Sequence, residues 1–310
     1  MEFFKLKTHI DFMRWRHAAF TLSGTLTVIA LLFLGFRGLN LGIDFTGGSV
    51  IEVSYAEAVD LEPVRAALAR NGFEDAIVQH FGTARDVLVR LAPRPGVEQK
   101  QLGDRVLEAL RGASSAGVEL RRVEVVGPQI GEEITEQGGL AMLAALAAIL
   151  VYVSLRFEFR FALGSVLALF HDVIIVLGFF AVTWIEFDLT AFAAILAVIG
   201  YSLNDTIVVY DRIREDFRKV RRGSTIEIVN LALNETLSRT VMTGVTTLLV
   251  LFALMAFGGE LLHSFTIALL VGVLFGMYSS IYVASALALA LGVSRADLMP
   301  AQKEGADTRP

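Results

Sequence analysis

The feature that most limits what this chain can become is the recurrence of long, nearly uncharged apolar runs. Six stand out, at about 18–36, 139–155, 161–184, 189–210, 237–257 and 264–291. Runs near 18 residues or longer read as transmembrane helices. The expectation is therefore a polytopic α-helical membrane protein with six transmembrane helices. The first run follows a basic flank (Lys5, Lys7, Arg14, Arg16), as a signal peptide would, but it is longer than a usual signal core. No small-x-small cleavage site follows in FRGLNLGIDF, so it reads as an uncleaved span.

Composition excludes several classes. The 310 residues are 55% hydrophobic and contain no cysteine, which removes disulfides, thiolate metal ligands and a cysteine nucleophile. A formal charge of -5 says little about partners. There is no Walker loop and no metal-ligand spacing, and the glycines lie mostly in spans or turns. The expectation is a chain that is not an enzyme, with no cofactor, no metal and no nucleic-acid partner. If it uses energy, the ion gradient is the remaining source, at about 2.3 kcal/mol per charge and 100 mV.

Short loops give an orientation, because Arg and Lys collect on the cytoplasmic side. The N-terminal flank, the loop with Arg156 and Arg160, the loop from Arg212 to Arg222, and the tail with Arg295, Lys303 and Arg309 are basic. The other short connections carry Glu186 with Asp188, and Glu260 with His263. Both termini then lie in the cytoplasm, with Arg37 the one residue against the trend. The divisions are 1–17 cytoplasmic, 18–36 the first span, 37–138 an external (periplasmic) domain with its flanks, 139–292 spans two to six, and 293–310 a cytoplasmic tail.

Within the external segment, strands are expected at 49–55, 76–82, 86–92 and 118–127, and helices at 60–72 and 97–112. Val64 with Leu68, and Leu102 with Val106 and Leu110, mark the buried helix faces. Pro63 fits a first helical turn. The order βαββαβ is that of an α+β, ferredoxin-like domain. His80 is alone there and reads as structural.

Ionisable residues inside spans are costly and usually serve function. Asp205 lies seven residues before Arg212, about 10 Å inside the cytoplasmic end. Tyr201, Asn204, Asp205 and Val208 form a stripe by helical spacing. Asp211 sits at the boundary as a solvated partner of Arg212 or Arg214. Asp172 lies twelve residues after Arg160, about 18 Å deep, beside His171. Neighbours on a helix point about 100° apart, so these two cannot both face one partner. Arg239 opens the fifth span at the depth of Asp205. A carboxyl whose proton affinity depends on its distance from an Arg is a workable proton carrier; the plainer reading of Arg239 is a topology anchor. Thr240, Thr243, Thr246 and Thr247 continue its face. Asp44, Gly47 and Gly48 in LGIDFTGGS read either as a turn or as a hinge at the domain–membrane junction. Gly272, Gly276 and Ser280 at four-residue spacing suit helix packing.

The stretches LGIDFTGGS, VGPQIGEE, ALFHDV, YSLNDTIVVYDRIRE and NETLSRT, in that order over about residues 10–292, resemble the SecF family. That resemblance implies a resistance-nodulation-division-like membrane half of six helices. It implies a partner, SecD, with six more helices and a larger periplasmic domain. It implies a role beside the Sec translocase channel in the inner membrane, using the proton-motive force on translocating unfolded protein. It also places proton-linked roles on Asp205 and Arg239. Membrane lipids are the surrounding partner. The alternatives are a proton-driven small-molecule exporter subunit of the same superfamily and a scaffold that conducts nothing. Exporters of that type usually carry two large external domains in a double-length chain, whereas this chain has one small one.

Overall fold

The structure, a computed structural model, describes residues 8–93, 99–113, 117–220 and 222–293. Lys5, Lys7, Arg221, the expected helix start at 97–98 and the tail from 294 lie outside the described residues.

A short 3-10 turn (Phe12–Trp15) leads into α1 (Arg16–Phe36). Then come β1 (Asn40–Leu41), α2 (Ile43–Thr46), β2 (Gly48–Tyr55), α3 (Leu61–Arg70), β3 (Ile77–Phe81), β4 (Thr83–Leu91), α4 (Gln99–Ala113) and β5 (Val118–Val126). The chain returns to long helices with α5 (Pro128–Arg156), α6 (Phe159–Thr183), a two-residue strand β6 (Glu186–Phe187), α7 (Leu189–Lys219) and α8 (Thr225–Phe257). The last span is α9 (His263–Tyr278), a π-helical stretch (Ser279–Ala284) and α10 (Ser285–Ala290). Among the described residues six helical segments, counting the last as one, are long and apolar enough to cross a membrane.

Local chemistry sets the helix ends. Pro128 opens α5, where a missing N–H leaves nothing unsatisfied. Asp188 caps α7, accepting from the Ala191 N–H at 2.7 Å. Ser224 and Glu227 form a reciprocal capping box at the start of α8. Both α5 and α8 begin well before their apolar runs, and α7 continues past its own, so polar helix projects beyond the bilayer stretch.

In the α+β domain the sheet order is β3-β4-β2-β5, antiparallel throughout. This is the arrangement a split βαβ plan produces. Alternation along β2 turns Ile51, Val53 and Tyr55 inward to meet Val64, Leu68, Val106 and Leu110 of α3 and α4. The opposite, helix-free face lies over one end of the helical bundle. A cleft of about 530 Å³ separates them, lined by Val50, Glu52, Leu88, Trp184, Glu186 and His263 among others.

In the bundle α7 is central, packed against α9, α8 and α6, while α1 and α5 lie on α6. Close approach of α9 to α7 depends on glycine. A Cβ on Gly272 would collide with Val198, and one on Gly276 would lie 3.3 Å from the Ser202 Cβ. Ser280 continues the stripe, meeting Thr206 at 3.3 Å.

Candidate functional site

Asp205 is 2% exposed, on the inner face of α7. Its Oδ2 has no hydrogen-bond partner. Arg239 of α8 is the charge that acts on it, yet the two make no ion pair. Arg239 lines a groove of about 590 Å³ between α7 and α8, together with Val208, Asp211, Arg212, Glu215, Glu235 and Thr236. An unpaired carboxylate at this depth is expensive.

Asn204 does not join this arrangement. It faces outward and makes no hydrogen bond, while Leu203, Asp205 and Thr206 on either side of it are buried. The Tyr201 hydroxyl is buried against Thr243 and Thr247 without a hydrogen bond of normal geometry. Asp211 bonds Arg156 at 3.0 Å and reaches Arg214 at 4.0 Å. Arg212 turns instead to Glu215, Asp216 and Glu235.

Asp172 is 1% exposed on α6. The Ser202 hydroxyl of α7 donates to its Oδ2 at 2.5 Å, and His171 Nδ1 lies 2.9 Å from its Oδ1. His171 and Asp172 thus share no third partner but bond each other. Ser279, in the π-helical stretch, approaches the same carboxyl without completing a hydrogen bond. Ser202 stands one turn before Asp205 and Thr206, so a polar seam runs from α6 across α7 to the π-helical stretch. Ser202 and Ser279 were not sequence candidates. Ser202 was findable, because it lies three residues before Asp205 in YSLND.

At the other end of α7, Asp44 of α2 accepts the Leu189 N–H at 2.9 Å. It therefore caps a helix 145 residues away rather than closing its own turn. Gly47 and Gly48 hold φ of 68° and 123°, which only glycine adopts without strain. Their surroundings are full: a Cβ on Gly47 would lie 2.8 Å from the Pro128 Cα, and one on Gly48 would strike the Leu91 carbonyl. Arg90 of β4, which alternation places on the outer face of the sheet, is only 8% exposed. It pairs with Glu186 and donates to the Leu41 carbonyl at 2.9 Å and Asn40 Oδ1 at 3.3 Å. Arg37 donates to the Val182 carbonyl at 3.0 Å and sits 4.4 Å over the Trp184 ring. Its place against the charge trend is thus a local contact at the end of α6.

Among the described residues no group of acids and histidines could hold a metal ion. What fold and site define is a multi-spanning membrane protein whose central helix carries a buried acid beside a partner helix's cation, with its far end tied to an α+β domain. The chain belongs to the SecF family: the model of the C-terminal region of SecD/SecF protein export membrane proteins matches residues 106–294 and that of the SecD/SecF GG motif residues 32–59. Protein translocase subunit SecF of Vibrio alginolyticus is 52% identical over 98% of this chain and 97% of its own length. The Escherichia coli O157:H7 subunit is 48% identical over 96% and 93%. The crystal structure of SecDF from Thermus thermophilus, titled a translocon-associated membrane protein, superposes with a TM-score of 0.83 at 39% identity, covering 93% of this chain. The chain spans 39% of that SecDF chain. SecDF in its super-membrane-facing form gives a TM-score of 0.70 at 40% identity.

Proposed function

We propose that this chain is a non-catalytic accessory subunit of Sec protein export in the bacterial inner membrane, working with SecD and driven by the proton gradient. Asp205 is the proton-carrying group, Arg239 its counter-charge and Asp172 a second interior station. The observation that carries this reading is the Asp205 carboxyl, buried with a free oxygen beside Arg239 in a chain of this family. Neutralising one buried charge per cycle lets about 2.3 kcal/mol per 100 mV act on the balance between two helix arrangements.

The orientation reading has both termini in the cytoplasm and the domain of 37–138 outside. It is supported by the gathering of Arg14, Arg16, Arg156, Arg160, Arg212 and Arg214 at the bundle end opposite the domain. There the Met13 N–H bonds Asn230, and Arg156 meets Asp211. The Asp44, Gly47 and Gly48 segment serves as the junction between domain and membrane. The translocase channel, unfolded precursor protein and lipid are the remaining partners. Arg239 and Asn204, both exposed on the lone subunit at membrane depth, mark the side where SecD docks.

The test is precursor translocation into vesicles carrying the complete complex, with and without a proton gradient. Asp205→Asn is expected to lose the gradient-dependent share while protein level stays constant. Gradient-dependent export at the wild-type level would sink the proton role of this residue. Efflux of hydrophobic compounds in the same strain tests the exporter alternative.

A further inference from the structure

Several contacts converge where the α+β domain meets the helical bundle. β1 pairs in parallel with β6, matching Asn40 to Glu186 and Leu41 to Phe187. Arg90 of the sheet reaches into that pair, holding Glu186, the Leu41 carbonyl and the Asn40 side chain, with its own side chain 9% exposed. The Asn40 amide donates onward to the Trp184 carbonyl at 3.1 Å. Asp44 caps α7, and the Phe45 ring stacks on Phe187 at 5.8 Å. On the α5 side, the backbone around Phe45 and Gly47 packs so closely that a Cβ on Gly131 would lie 2.7 Å from the Phe45 carbonyl oxygen.

A hinge needs a segment with few bonds and room to turn. This segment has neither. A surface ion pair yields on little cost, whereas a desolvated Arg with several acceptors does not, because losing one partner strands the others. We propose that Arg90, Glu186 and Asp44 form a rigid coupling that joins the α+β domain to the domain-side end of α7, so that the domain and this helix move as one body. Asp205 lies sixteen residues along the same helix, about 24 Å away. A displacement of α7, which carries Asp205, against α8, which carries Arg239, is then delivered to the domain as a lever delivers it. This assignment of direction rests on the proton reading of Asp205; the rigidity of the junction does not.

The chain lacks cysteine, so a cross-link can be placed cleanly. A Cβ on Gly42 lies 3.3 Å from that of Asp188, close to disulfide range. In the complete complex bearing Gly42→Cys with Asp188→Cys, oxidised and reduced samples of the same preparation are compared, so that the lost Asp188 cap cancels. A rigid coupling predicts gradient-dependent export within about twofold between the two states. A loss of about tenfold on oxidation, reversed by reductant, means the junction must open and overturns the proposal. In a second arm, Arg90→Glu and Glu186→Arg each place like charges together and are expected to lower the gradient-dependent share about tenfold, and the double exchange to recover most of it. Wild-type export from either single variant overturns the role of the pair. Asp205→Asn runs alongside: wild-type export there, with the oxidised cross-link still tolerated, removes the proton reading and leaves the rigid junction standing.

Discussion

The two interiors of this molecule are built on opposite rules. In the α+β domain the core between sheet and helices is apolar, and among its described residues the buried polar ones are Ser49 and Arg90, the latter at the junction rather than in that core. The bundle buries Asp172, Asp205, Asp216, Ser202, Thr206, Thr240, Ser279, Ser280 and more. In water, a polar side chain is better placed outside and the core is left to Leu and Val. In lipid the outside is itself apolar, so the interior is where polar groups find partners, and small residues rather than hydrophobic pressure hold helices together. Among the orphaned buried oxygens of the bundle are Asp205 Oδ2 and Ser279 Oγ, whereas the apolar core of the domain has none among its described residues.

Substitutions that cross the two rules separate them. Leu68→Asp places an unpaired charge in the domain core, where Leu68 is 0% exposed, and is expected to cost more than about 4 kcal/mol. Loss of amide-exchange protection across β2 and β4 would report it. Protection left intact would mean the domain core is wet. Gly272→Leu drives a side chain into Val198 between α9 and α7 and is expected to cost about 1–3 kcal/mol or more by overpacking. The readout is the yield of assembled complex after detergent extraction, and a normal yield would show that α9 can back away from α7.

Asp172→Asn keeps shape and hydrogen-bonding capacity. Stability is expected to change by less than about 1.5 kcal/mol while gradient-dependent export falls. A thermal melt and an export assay on the same preparation decide this, and the reverse pattern would make Asp172 a structural bond. The smallest effect belongs to Asp86 in the domain. Hydrogen bonds from Ser54 at 2.6 Å and Thr83 at 2.5 Å hold its carboxyl below the usual carboxylate range. The stabilisation is complete above the unfolded value of about 3.9 and fades as pH falls through the lower folded value. Asp86→Asn should therefore lower domain stability slightly at pH 7 and flatten the acid limb below about pH 4, where variant and wild type converge. An acid titration of domain unfolding, unchanged by the substitution, would remove that assignment.

How much of this was legible follows from what a local pattern records. The six spans were visible because a run of apolar residues is its own signal. The polar starts of α5 and α8 were not, since an apolar-run search stops where charge begins; the capping box at Ser224 and Glu227 was the available cue. Asp205 and Arg239 were legible because charge inside a span is conspicuous. The stripe that included Asn204 failed because a count along the helix does not say which edge of the stripe faces inward. Arg90 was hidden for a different reason. Strand alternation placed it on the outward face, and nothing local says that another part of the chain covers that face. β1 and β6 are two residues each, too short for any periodicity to show.

The bond from Asp44 to the start of α7 also orders the birth of the molecule. Asp44 leaves the ribosome 145 residues before its partner Leu189, an interval of about 7–30 s at ordinary synthesis rates. During that time β1 has no neighbour and the Arg90 guanidinium has no Glu186. The α+β domain has its own sheet and core, but its seat against the bundle is complete only when the end of α6 and the start of α7 are in place. The junction is therefore among the later contacts to form, and a chain that ends before residue 186 lacks β6 and the capped start of α7 that complete it.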